Sequence, residues 1–365
     1  MRILYGVVGE GMGHATRSRV ILDHLTQSHE VHVVASGRAH DYLKGRFDGV
    51  HKIWGYTLAY QDNAVDTFKT VLQNIKGAFT GWPENVKQYF HMMKDFEPQV
   101  VISDFESWSY LYGKNHLLPV ISVDNMQVIN RCQHPDDVLA GHQAEFELTK
   151  NIVKAKVAGA YHYLITTFFY PPVRKPRTTL RPSILRPEII AAKSEPGEHL
   201  VVYQTSTSAS DLPAMLKATG RHCRIYGFKR DLKAPERDGN LEYLPFSEGG
   251  FIDDLRTCKG VVSNGGFTLM SESVFLHKPF LSVPLGGQFE QVLNARYLEH
   301  EGFGLHAPKI TSEALGNFLE RTPDFERNLA RYTQDGNVEM LASIDSLLAR
   351  VQAGEKPSPE EMSVG

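Results

Sequence analysis

The sequence predicts an α/β protein built from two Rossmann-like domains, with parallel sheets facing each other across an interdomain cleft. Three features lead there: two separate series of short β-branched runs alternating with helical stretches, a proline-rich break between them, and a glycine turn after a strand in each half. In the first half Ile3–Val8, Val31–Ala35, Val100–Ser103 and Val120–Val123 read as buried strands. In the second, Leu200–Tyr203, Arg224–Tyr226, Gly260–Ser263 and Pro279–Val283 do. Tyr170–Arg177, Arg181-Pro182 and Arg186-Pro187 carry too many prolines for a regular helix or a central strand, so they read as the connection. The expected division is an N-terminal domain at 1–187, a C-terminal domain at 188–352 and a disordered Pro-, Ser- and Glu-rich tail at 353–365. The stretch from 311 to 351 reads as helical, with Leu341, Ile344, Leu347, Leu348 and Val351 on one face.

Composition narrows the class. Apolar residues make up 42% and charged residues 22% of 365, enough for two cores, and the net charge of −3 exerts no global pull on nucleic acid. The three cysteines, Cys132, Cys223 and Cys258, are dispersed and form no CxxC pair, which argues against a disulfide framework or a zinc knuckle and fits a reducing compartment. The chain enters a strand-like run at Arg2, and no apolar run approaches the roughly 20 residues that span a bilayer. A cytoplasmic location is therefore expected. The basic proline-rich connection leaves a peripheral membrane contact open.

The first strand runs into Gly9-Glu10-Gly11-Met12-Gly13-His14-Ala15-Thr16-Arg17-Ser18. A glycine turn between strand and helix brings backbone amides close to a ligand. The spacing misses the dinucleotide fingerprint: its third glycine would fall at His14, and Val33-Val34-Ala35-Ser36 lacks the expected acidic residue. His14 then stands where a neutral imidazole can act as a general base. Asp104, ending a strand at the same sheet edge, can orient it, and Glu106 is a second candidate. Helix capping is the plainer role for His14.

In the second half Gly260-Val261-Val262-Ser263 leads into Asn264-Gly265-Gly266-Phe267-Thr268, and Glu272 lies further along the helix. The glycine turn and helix N-terminus suit a diphosphate. The Glu272 carboxylate suits two ribose hydroxyls, since phosphates would repel it. One strand later Glu290 and Gln291 open another helix at the same edge, placed for sugar hydroxyls, with Asn294 and Ala295 locking that helix. Thr205 and Ser206 follow the first strand of this half and suit a further phosphate contact.

Taken in this order, these pieces resemble the inverting GT-B glycosyltransferases, among them the peptidoglycan lipid-intermediate N-acetylglucosaminyltransferase and the natural-product sugar transferases. The resemblance covers almost the whole chain, except that 40–97 matches none of their motifs. It implies an acceptor-side domain first and a donor domain second. It also implies His14 as base on a loop carrying Gly11 and Gly13, with Asp104 behind it. The donor elements fall on Gly266 with Glu272 and on Gln291, Asn294 and Ala295. Glu290 stands where some members have Gln or Asp, which leaves the donor sugar open. Phe246 and its neighbours match the nucleobase loop.

The implied reaction is metal-independent, inverting transfer of a hexosyl group from a nucleotide-diphosphate sugar, UDP- or dTDP-linked, to an acceptor hydroxyl, with no cofactor. A UDP-sugar 2-epimerase and a non-catalytic nucleotide-sugar-binding protein remain as alternatives. Two look-alikes fall away. Glu301-Gly302-Phe303-Gly304 lies after the Gln291 helix, the wrong place for a retaining signature, and Asp104-Phe105-Glu106 as a GT-A metal motif would leave the second domain unexplained. The acceptor is open among glycan, lipid-linked and small-molecule classes. Trp54, Tyr56, Tyr60, Phe68, Phe79, Trp82, Tyr89 and Phe90 could stack on it, although aromatic helical regions are more often core.

Overall fold

Buried β-branched runs separated by amphipathic helices give the chain two sheets. The computed structural model describes residues 1–9, 11–55, 60–61, 64–65, 83–204, 211–229 and 231–357. The first sheet is assembled from β1 (Arg2–Val7), β2 (Glu30–Ala35) and β3 (Val50–Lys52), and, after a small hairpin of β4 (Tyr60–Gln61) and β5 (Ala64–Val65), from β6 (Val100–Asp104), β7 (Val120–Asp124), β8 (His162–Thr167) and β9 (Thr178–Pro182). Its order is β3-β2-β1-β6-β7-β8-β9, parallel throughout.

The second sheet comprises β10 (Leu200–Tyr203), β11 (Cys223–Tyr226), β12 (Glu236–Asp238), β13 (Leu241–Leu244), β14 (Gly260–Ser263), β15 (Phe280–Ser282) and β16 (Gly304–His306). Its order is β12-β13-β11-β10-β14-β15-β16, with only the edge strand β12 antiparallel. Strand order reverses between β1 and β6 in one sheet and between β10 and β14 in the other. Ligands of open parallel sheets bind at the carboxyl ends of the strands beside such reversals.

Two parts of the chain depart from the sequence-based division. The proline-rich connection is not all linker: Thr178–Pro182 is β9, paired to β8 at the sheet edge, where a terminal proline costs no ladder bond. The helix Val338–Gln352, assigned by sequence to the second domain, packs instead in the core of the first. Met340, Ile344, Leu347 and Leu348 are buried in one cluster with Ile3, Leu22, Ile121 and Leu164. Its apolar stripe was legible, but a stripe does not say which sheet it covers. Residues 358–365, most of the expected tail, lie outside those described.

The chain therefore passes twice between the halves, and the two crossings are bonded to each other. Leu185 N donates to Asn337 Oδ1 at 2.9 Å, Asn337 Nδ2 to Leu185 O at 2.8 Å, and Gln334 Nε2 to Ser183 O at 3.1 Å. An aromatic seam also joins the halves: Phe169 stacks on Tyr297 at 4.0 Å and Phe168 on Phe267 at 5.9 Å. No helix among the described residues is long and apolar enough to cross a membrane. Several basic side chains of the connection are engaged internally, Lys175 with Asn130, Arg181 with Ser343 and Arg186 with Glu272.

Ile344 is fully buried in the first core. Ile344→Ala should lower stability to urea by about 2–5 kcal/mol, and an unchanged midpoint would place the helix outside that core.

Candidate active site

At the first strand reversal, β1 ends in the glycine loop and the helix Met12–Leu25 begins. Gly11 occupies the N-cap with φ 74°, a left-handed backbone that favours glycine. His14 lies in the first turn, one-fifth exposed, with Nδ1 2.8 Å from Oδ1 of Asp104, the buried last residue of β6. The pairing that the sequence suggested is thus formed.

The pairing is not isolated. Arg17, one turn beyond His14, is buried against the same carboxylate: Nε donates to Asp104 Oδ2 at 2.8 Å and Nη2 to Oδ1. Arg17 Nη2 also lies 2.6 Å from His14 Nδ1, and Nη1 donates to Asn125 Oδ1 at 2.8 Å. Ser18 Oγ completes the cage with a 3.1 Å bond to Asp104 Oδ2. Burial alone would raise the Asp104 carboxyl, but Arg17 and His14 outweigh it and hold it down at about 2. His14 Nδ1 thus has two rival partners. Protonated, it donates to Asp104 and leaves Nε2 free to accept a proton; unprotonated, it accepts from Arg17.

Glu106 does not join the site. Its carboxylate caps the helix Ser107–Asn115, accepting from Trp108 N at 2.7 Å and Ser109 N at 2.6 Å. Phe105 turns the chain between the two acids with φ 54°.

At the second reversal, β14 ends in Asn264, Gly265 and Gly266, and the helix Phe267–Phe275 follows with no side-chain cap and no acid in its first turn. Its first amides are therefore free for an anion. Gly266 is exposed, and a Cβ there would meet nothing within 4 Å. Gly265 is buried, and a Cβ there would collide with the carbonyl of Gln291.

Gln291 faces this loop rather than open space. Its Oε1 accepts from Gly265 N at 3.2 Å and Leu285 N at 3.0 Å, while Asn294 Nδ2 donates to Gly265 O at 3.1 Å. Glu290 turns toward the first domain, where Asn125 Nδ2 donates to its Oε1 at 2.7 Å. The two glycine loops meet across the cleft: a Cβ on Gly13 would lie 2.5 Å from Thr268 Oγ1.

Glu272 is buried, and Arg186 grips both its oxygens, Nε to Oε1 at 2.7 Å and Nη2 to Oε2 at 2.8 Å; Nη1 reaches Glu248 at 2.9 Å. An ionised carboxylate offers about four acceptor sites, and this fork fills two of them. Phe246 is 66% exposed, with its ring beside Phe251. Thr205 and Ser206 lie outside the described residues, as do Tyr56, Phe68, Phe79 and Trp82 of the aromatic region. Tyr89 of that region packs on Tyr112 and bonds His116, whereas Phe90 is 49% exposed.

Sequence reasoning missed Arg17, Asn125 and Arg186. Arg17 carried a signal, its three-residue spacing from His14 on one helix face. Asn125 and Arg186 act across tertiary contacts that no local pattern encodes.

The model of glycosyl transferase family 1 matches residues 1–323. The chain belongs to that family. This glycosyltransferase is similar to an uncharacterized glycosyltransferase of Methanosarcina mazei, 24% identical, with 88% of this chain and 90% of the relative covered. Among solved structures it is similar to a UDP-glucosyltransferase from Polygonum tinctorium, with TM-score 0.66 and 13% identity over 96% of this chain and 98% of that one. It is also similar to MurG of Acinetobacter baumannii, with TM-score 0.60 and 14% identity over 94% and 99%. The fold is GT-B, and the glycosyltransferase moves a sugar from a nucleotide-diphosphate donor to an acceptor.

Two outcomes follow from this geometry. Gly265→Ala should weaken binding of nucleoside diphosphate in calorimetry by about tenfold, one step of roughly 1.4 kcal/mol, because the loop must move away from Gln291. An unchanged Kd would show that the loop does not hold the donor. The depressed Asp104 carboxyl stabilises the fold above its ordinary value of 3.8, and that contribution disappears as pH falls toward about 2. The difference in stability between wild type and Asp104→Asn, measured by denaturant titration, should therefore shrink across that window; a constant difference would show the carboxylate is not held down.

Proposed function

We propose that the chain transfers a hexosyl group, with inversion at the anomeric carbon, from a UDP- or dTDP-sugar to an acceptor hydroxyl, with no metal ion in the chemical step. The observation that carries this reading is the approach of Gly13 to Thr268, which sets the His14–Asp104 pair against the start of the uncapped donor helix. A base on one wall and an anion-binding helix end on the other are the two groups an in-line displacement needs.

In the productive form Nδ1–H of His14 donates to Asp104, and Nε2 takes the acceptor's hydroxyl proton. The acceptor oxygen bonds to the anomeric carbon on the face opposite the diphosphate. The bond from that carbon to the diphosphate oxygen breaks, and its electron pair leaves with the phosphate. Amides around Gly266–Thr268 and the helix dipole stabilise the charge that develops. Glu272 and Phe246 hold ribose and base, and Glu290 contacts the donor sugar. Gln291 and Asn294 keep the loop in shape, a supporting role suggested by their bonds to Gly265.

His14→Ala should lower turnover at least about tenfold, the low side of what general-base help supplies, while calorimetric affinity for the nucleotide diphosphate stays the same. Near-native turnover would remove His14 from the role. Proton NMR of the first-formed product should show the anomeric configuration opposite to the donor's, and a chelator should leave turnover intact. Retained configuration or chelator-sensitive chemistry would overturn the mechanism.

A further inference from the structure

Three histidines gather at the outer edge of the first sheet, apart from the cleft. His32 is the third residue of β2, His51 the middle residue of edge strand β3, and His91 precedes the short turn Met92–Phe96. One ring nitrogen from each lies within 4.8 Å of the others. His51 Nε2 and His32 Nδ1 are 3.0 Å apart, and the three ring centroids are separated by 4.9 to 5.8 Å. We propose that His32, His51 and His91 form a binding site for a zinc-class divalent transition metal that braces this edge of the sheet.

The donor set is the first argument. Imidazole suits zinc and its late first-row neighbours, and three histidines with water in the fourth position is a recurrent zinc arrangement. A tetrahedral ion with bonds of about 2.0–2.1 Å holds neighbouring nitrogens about 3.3 Å apart. The 3.0 Å pair already has nearly that spacing, and the His91 nitrogen lies within 4.8 Å of both. No carboxylate has to be displaced.

The surroundings form the second argument. His91 Nδ1 lies 2.8 Å from Asp95 Oδ2, which leaves Nε2 as the ligand and supplies the carboxylate behind the imidazole that metal-bound histidines usually have. His32 is stacked on Phe96 at 3.9 Å with 13° between the planes, so its ring is fixed in place. Gly49, with φ 70°, makes room: a Cβ there would lie 3.2 Å from the His32 ring. All three rings are half-buried, reachable by an ion yet held by packing.

The location assigns the ion a structural role. Both catalytic loops leave from the carboxyl ends of β1 and β6, whereas His32 lies toward the amino end of β2. The ion would tie β2 and β3 to the segment that feeds β6, closing the edge strand onto its neighbours. The site is independent of the transfer reaction and does not rest on the proposed mechanism.

The test uses the full chain, stripped with chelator and dialysed, titrated with ZnCl2 by calorimetry and with CoCl2 by visible absorption. One equivalent of Zn2+ should bind, Co2+ should give the visible bands of a tetrahedral nitrogen site, and Zn2+ should raise Tm. His91→Gln, on a solvent-facing helix end, should weaken Zn2+ at least tenfold while leaving nucleotide-diphosphate affinity unchanged, which also reports that the variant is folded. His51→Asn should abolish the Co2+ bands. Absence of saturable Zn2+ binding would overturn the proposal and leave a stacked imidazole cluster. So would an isotherm unchanged in His91→Gln, which would put the ion elsewhere.

Discussion

Burying the Arg17 guanidinium beside the Asp104 carboxylate organises the middle of the first sheet's carboxyl edge. Either charge alone in that place would cost several kcal/mol, so each fixes the position of the other. Asp104 ends β6, Arg17 stands on the helix after β1, and Asn125 follows β7, so one hydrogen-bonded group ties three adjacent strand ends. His14 is held by the same carboxylate, and Asn125 extends the network to Glu290 on the opposite wall. The two sides of the cleft thus share a continuous polar path, with the imidazole at one end and the donor-side carboxylate at the other.

That arrangement suits the base role proposed for His14. A carboxylate held down at about 2 stays ionised through the neutral range, so in the proposed mechanism it orients the imidazole without taking its proton. Arg17 competes for Nδ1, and the choice between its two partners decides whether that nitrogen carries the ring's proton. Gly265 has a comparable place in the second domain. Its amide and carbonyl are both held by the Gln291 and Asn294 side chains, which fix the loop at Gly265.

Much of this was legible in the amino-acid order, because glycine loops after buried strands are local patterns. The strands flanking both loops were found with ends shifted by a residue or so, and His14 with Asp104 followed from the convergence of parallel strand ends. What stayed hidden was tertiary. β8 and β13 gave no separate signal, β9 was masked by its prolines, and the last helix showed an apolar stripe with no indication of which sheet it would cover. Gln291 was expected to face the sugar, and its side-chain oxygen accepts from Gly265 N of the glycine loop and from Leu285 N of the segment before its own helix. Arg186 looked like part of a basic surface stretch. Its guanidinium makes three bonds to Glu272 and Glu248, which are distant in sequence, and a buried carboxylate takes such a partner wherever the fold offers one.

Because the last helix returns to the first core, the halves are joined by two lengths of backbone lying side by side. Asn337 and Gln334 stitch these lengths together at Leu185 and Ser183. A single tether would leave swivelling of one half over the other to be resisted by the aromatic seam and the cleft contacts alone. A bonded pair of tethers, like a double spine, restrains that swivel more than one length of backbone would.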